Sequence, residues 1–127
     1  MGANKIITWF QIPARDIDRA TNFYTAVVGG RFHRIDDPHG GKHAFFRFDQ
    51  MEPLRTGGEI YQGPREEPSS SGVLIYLAAP EGLDAAVKKV APAGGQVVMP
   101  RLAIGEHGVI ALIIDTEGNR IGLHAEN

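Results

Sequence analysis

The chain contains no cysteine and a single tryptophan, Trp9. Without thiols there is no disulfide, no thiolate metal site and no cysteine nucleophile, so stability cannot depend on oxidation. Long apolar runs are missing as well. No stretch approaches the roughly 20 residues that a spanning helix needs, and the opening residues Met1 to Lys5 carry no apolar signal core. The expectation is a cytoplasmic protein with no membrane partner. Charge of one sign is also lacking: the net charge is -2, and the lysines and arginines are scattered. That pattern argues against nucleic acid as a partner. Glycine is plentiful, but Gly29-Gly30, Gly40-Gly41, Gly57-Gly58 and Gly94-Gly95 have neither the lysine-serine of a phosphate loop nor a dinucleotide-binding context.

What is present is a length of 127 residues with 43% hydrophobic content, enough for one ordinary domain with its own core. The pattern repeats once. Gly29-Gly30 and Gly94-Gly95 stand 65 positions apart, each closing a helix-like run and preceding a strand. The same shift lays Ile6 to Pro13 on Ser71 to Ala78 and His43 to Phe48 on Gly108 to Ile113.

In the first half, Ile6 to Ile12 is rich in β-branched and aromatic residues and stops at Pro13, which predicts a strand. Asp16 then precedes a helical run ending at Val28, with Ile17, Ala20, Phe23, Tyr24 and Val27 on one face and glycine at its end. Strands are expected near Phe32 to Ile35, Ala44 to Phe48 and Gly58 to Tyr61. The second half predicts a strand over Val73 to Leu77, a helix over Leu83 to Val90, and strands near Val97 to Met99, Val109 to Ile114 and Arg120 to His124. The fold class is therefore α+β, with two tandem βαβββ modules at residues 1–62 and 73–127 in a single domain. The polar, Pro- and Ser-rich segment 63–72 joins them. Each sheet is expected to bury one face against its own helix and turn the other toward a cleft between the halves.

Ile12-Pro13-Ala14-Arg15-Asp16-Ile17 running to Phe23-Tyr24, the Gly94-Gly95 pair, and Gly105-Glu106-His107-Gly108 leading into Asp115-Thr116-Glu117-Gly118-Asn119-Arg120-Ile121-Gly122-Leu123 together resemble the vicinal oxygen chelate superfamily. This group includes glyoxalase I, the extradiol dioxygenases and the bleomycin and fosfomycin resistance proteins, and the chain looks most like its small bacterial members. The resemblance implies a homodimer and, in the metal-dependent members, a divalent ion held by His or Glu from the first and last strand of each module. Carried over by position, those places fall on Trp9, on Val73, Leu74 or Ile75, on Gly122, and near Glu59. An indole donates but cannot ligate, and glycine has no side chain. Only Glu59 could ligate, so the usual metal centre is expected to be lost, and glyoxalase I activity with it.

Strand alternation then nominates the residues lining the cleft. If Trp9 faces inward so does Gln11, and if Gly122 faces inward so does His124, with Gly122 leaving space over the Trp9 ring. The expected small-molecule contacts are Trp9, Gln11, Glu59, Tyr61, Tyr76, His107 and His124. His107 and Glu59 are the acid-base candidates, since an imidazole titrates near neutrality; His33, His39 and His43 read as hairpin surface. No cofactor is expected. The alternative is a relocated divalent site of zinc, iron, manganese or nickel built from Gln11, Glu59 and His124. Function is expected to be binding of a small oxygenated metabolite, as a lyase, isomerase or dioxygenase. The other reading is a non-catalytic protein that sequesters a drug or metabolite.

Overall fold

A computed structural model describes residues 6–47 and 57–126. The first module contains β1 (Trp9–Pro13), α1 (Ile17–Val28), β2 (Arg31–Asp36), β3 (Lys42–Arg47) and β4 (Gly57–Gln62). The second contains β5 (Tyr76–Ala78), α2 (Leu83–Val90), β6 (Gln96–Ala103), β7 (Val109–Ile114) and β8 (Arg120–Ala125), with a 3-10 turn at Gly105–His107. Each module forms a four-stranded sheet, ordered β1-β4-β3-β2 and β5-β8-β7-β6. The first strand of each module runs parallel to the last, and the other neighbours are antiparallel. Phe48, the expected end of the third strand, lies outside the described residues.

Local chemistry accounts for the bounds of α1. At the start of α1 the Asp16 carboxylate accepts from the Arg19 backbone N–H at 3.1 Å. At its end Gly29 adopts φ 73°, and its N–H closes on the Thr25 carbonyl. A side chain there would be strained, so the glycine ends the helix cleanly. The face carrying Ile17, Ala20, Phe23, Tyr24 and Val27 is buried. In α2 the buried residues are Leu83, Ala86 and Val90. Both helices join one core with Ile12, Ala44 and Ile60 of the first sheet and Ala111, Ile113 and Leu123 of the second. The helices also touch each other, so the apolar layer is shared between the modules and not confined to each sheet and its own helix.

Three strands differ from the sequence expectation. The first covers Trp9–Pro13, not Ile6 to Ile12, its pairing with β4 running from Trp9 against Gly57 to Pro13 against Tyr61. The fifth covers Tyr76–Ala78, not Val73 to Leu77, because a parallel edge strand reaches only as far as its pairing with β8, Tyr76 to Ala78 against Gly122 to His124. The sixth is longer, Gln96–Ala103, and runs through Pro100. Proline is tolerated there because β6 is an edge strand, and Pro100 falls within the second of two register shifts, between Val97 and Met99 and between Met99 and Leu102.

The turn between β7 and β8 fastens the modules together. Asn119 Nδ2 donates to the Pro13 carbonyl at 2.7 Å, and Tyr24 Oη donates to Asp115 Oδ2 at 2.5 Å. Burial, then the charge and hydrogen bond of Asp115, hold the Tyr24 phenol well above its ordinary pKa, so it remains a donor. Glu117 Oε1 accepts the backbone N–H groups of Arg15 and Asp16 at 2.8 and 2.9 Å, and its carboxylate pairs with Arg19 at 2.7 Å. What reads as a hairpin turn in the sequence is a polar latch between the two halves.

Candidate functional site

On the helix-free face of the first sheet, a buried carboxylate gathers three side chains from two neighbouring strands. Glu59 on β4 is 6% exposed. Its register partner across the parallel pair is Gln11, two residues beyond Trp9, so both β1 side chains share its face. Trp9 Nε1 donates to Glu59 Oε2 at 3.0 Å, and Gln11 Nε2 donates to the same oxygen at 3.2 Å. From β3, His43 Nδ1 meets Glu59 Oε1 at 2.5 Å. The imidazole is stacked on Phe45, with centroids 5.8 Å apart and planes at 5°, and sits 5.1 Å from the Tyr61 ring. Trp9 in turn tilts against Phe45 at 5.8 Å. Tyr61 is buried beneath the Arg65 guanidinium, 5.2 Å above its ring.

Glycines decide where the aromatic rings lie. Gly57 sits under Trp9, where an added Cβ would come 2.8 Å from the ring. Gly122 sits under Tyr76, where a Cβ would collide with the ring edge. The space at Gly122 is therefore taken by Tyr76, its register partner on β5, and not by Trp9 as the sequence suggested. Gln11 beside Glu59 and Tyr76 beside Gly122 are matching pairs of the two modules. The position flanking Gly122 thus belongs to Tyr76, not to Val73, Leu74 or Ile75.

The residues nominated from sequence separate into two groups. Trp9, Gln11, Glu59 and Tyr61 lie together in the first module. Tyr76, His107 and His124 belong to the second, where a His124 ring nitrogen lies 2.6 Å from the His107 carbonyl oxygen. His107 itself is exposed in the 3-10 turn. The Glu59 oxygens are engaged by Trp9, Gln11 and His43 of the first module, whereas His124 meets the His107 backbone. His43 was read as surface and is instead half-buried against Glu59; His33 and His39 are exposed. His43 escaped notice because it reaches Glu59 diagonally, from the position opposite Tyr61, and the pairing of β3 with β4 is not written in either strand alone.

The donor set does not suit a resident divalent ion. A metal needs free lone pairs, yet one oxygen of the only carboxylate already accepts two N–H groups and the other meets an imidazole. At the matching corner of the second module stand a glycine and a tyrosine. Among the described residues no group of three or more His, Cys, Asp or Glu could hold a metal. What the arrangement offers is hydrogen bonding, aromatic surface and one carboxylate-oriented imidazole.

Two tandem βαβββ modules with a polar cluster between first and last strands define a class of fold, and the comparisons give it a family. The model of the glyoxalase/bleomycin resistance protein/dioxygenase superfamily matches residues 6–123. The chain belongs to this superfamily, the vicinal oxygen chelate proteins. It is 28% identical over 119 residues to the candidate glyoxylase CFP32 of Mycobacterium tuberculosis, covering 94% of this chain and 45% of that protein. It is 25% identical over 118 residues to the anthracycline biosynthesis protein DnrV of Streptomyces peucetius, covering 87% and 43%. The chain thus spans less than half the length of these curated relatives. Among solved structures, the fosfomycin resistance protein FosX of Listeria monocytogenes superimposes with a TM-score of 0.69 at 15% identity, covering 95% of this chain and 93% of that one.

Proposed function

We propose that the helix-free face of the first module binds a small oxygenated metabolite and moves a proton on it without a metal. The observation that supports this reading is the contact of buried Glu59 with His43 Nδ1 at 2.5 Å, in a wall completed by Trp9, Gln11 and Phe45. A carboxylate facing Nδ1 favours the tautomer with its proton on that nitrogen, which leaves Nε2 with the lone pair. Nε2 then accepts a hydrogen bond, or a proton, from a ligand hydroxyl or an acidified C–H. Glu59 acts through His43 by orienting it. Trp9, 47% exposed, supplies a flat surface for the body of the ligand. Lyase or isomerase chemistry fits such a pair, whereas glyoxalase I chemistry needs ligands this site does not have.

Sequestration without chemistry is the second reading. It is favoured by the saturation of Glu59 with protein donors, which makes the cluster a fixed wall. A homodimer and a cytoplasmic location belong to the same proposal; among the described residues no helix is long and apolar enough to cross a membrane.

The test uses Trp9 as the only indole. Titration with dihydroxyacetone, and with the hemithioacetal of methylglyoxal and glutathione, is followed by tryptophan emission and by α-proton exchange in D2O. Saturable quenching that is lost in His43→Gln and Glu59→Gln supports the site, and exchange that disappears with it supports proton transfer. Quenching without exchange selects sequestration. Binding indifferent to both variants overturns the reading, as does a stoichiometric divalent ion in chelator-free protein that is lost in Glu59→Ala.

A further inference from the structure

A cavity of about 710 Å³ lies at the seam between the modules, away from Glu59. Its first-module wall is Phe10 and Phe46, with ring centroids 5.4 Å apart, and the end of α1 at Val28. Leu74 and Leu77 form the opposing wall. Phe10 lies between Trp9 and Gln11 in sequence, and alternation sends it to the other face of β1. The seam cavity and the Glu59 cluster therefore occupy opposite sides of one strand. Both β1 and β5 are outer strands of their sheets, which makes the space between them a slot bounded by two sheet edges. Phe10 is laid across Gly58, where a Cβ would collide with its ring, so this wall is held flat against the sheet.

The volume falls within the range of small-molecule pockets, and the lining has their composition, largely apolar with few polar groups. Apolar walls hold water poorly, so an apolar occupant is favoured over solvent. One charged residue lines the slot among the described residues, Arg47 at the end of β3. The helix end contributes little opposing charge, because Gly29 and Gly30 donate to the Thr25 and Tyr24 carbonyls.

We propose that the seam binds an anionic amphiphile, an aliphatic or aromatic body between Phe10, Phe46 and Leu77 with its single acidic group at Arg47. This site is independent of the chemistry proposed for Glu59.

Isothermal titration with sodium decanoate, decyltrimethylammonium as the opposite-charge control, tests it. Decanoate is expected to bind about fivefold more tightly than the cation, the scale of one partly exposed ion pair. That preference should vanish in Arg47→Gln. Ala78→Trp, which fills the slot from an exposed lining position, should abolish both. Leu74→Asp places a like charge in the slot from a residue outside any strand, and should remove decanoate binding even if Ala78→Trp fails to fold. Glu59→Gln should leave every value unchanged, so failure here and failure at Glu59 are read apart. The proposal is overturned by equal affinity for the two amphiphiles, by decanoate binding that survives Leu74→Asp in the folded protein, by weakening in Glu59→Gln, or by no saturable decanoate binding below its micellar concentration.

Discussion

Replacing Glu117 with glutamine should weaken the joint between the modules and also erase an acid transition. The Glu117 side chain is fully buried. It accepts from the Arg15 and Asp16 backbone, from Thr116 Oγ1 at 2.9 Å, and from Arg19 Nε and Nη2 at 2.7 and 3.0 Å. Burial alone would raise the pKa of this carboxyl. The Arg19 hydrogen bond, followed by those from the Asp16 backbone, Thr116 and the Arg15 backbone, outweighs it and lowers the value from an ordinary 4.5 to about 2. Because the folded pKa lies below the unfolded one, the stabilisation is complete above about pH 4.5 and is lost as the pH falls toward about 2. At 1.36 kcal/mol for each pH unit of that interval, the contribution is roughly 3 kcal/mol. Glu117→Gln keeps the shape but turns an amide N–H toward groups that are themselves donors, so a similar loss is expected at pH 7. Urea unfolding of both proteins at pH 7, 4 and 2.5 measures it. Other carboxylates titrate in both proteins and largely cancel in the difference. The gap between the two stabilities should close toward pH 2.5, and a gap that stays constant across the series would refute the reasoning.

Tyr24→Phe removes the buried donor to Asp115, and urea unfolding should show a loss of about 2 kcal/mol, the scale of a hydrogen bond to a charged group. Gly58→Ala forces a methyl into the plane of the packed Phe10 ring, and thermal or urea unfolding should register about 1–3 kcal/mol of overpacking. Gly118→Ala has open space but a φ of +98°, so its cost should be about 1 kcal/mol and purely backbone in origin. Gly122→Glu places a carboxylate at the corner where the family resemblance implies a metal ligand. With Tyr76, Trp9 and a saturated Glu59 at the other corners, elemental analysis should still find no stoichiometric zinc, manganese or nickel, and a tightly held ion would contradict the account of the donor set.

Where local chemistry suffices, the residues alone specify the element. Helix α1 begins at Ile17 and ends at Val28 because Asp16 caps one end and Gly29 turns left-handed at the other, and both signals lie within the segment. The doubled βαβββ order and the Trp9–Gln11 alternation are equally local. Tertiary structure decided the rest. Strand β7 is apolar on both faces, Val109, Ala111 and Ile113 buried and Ile110, Leu112 and Ile114 half-buried, so its sequence cannot say which face meets the helices. Val73 to Ile75 has strand-like residues but lies outside β5, whose ladder with β8 covers only Tyr76 to Ala78. The union of Glu59 with His43, and of Glu117 with Arg19, depends on register between segments far apart in the chain. Hydrogen bonds of that kind are set by how sheets and helices pack, and no periodicity within either partner encodes them.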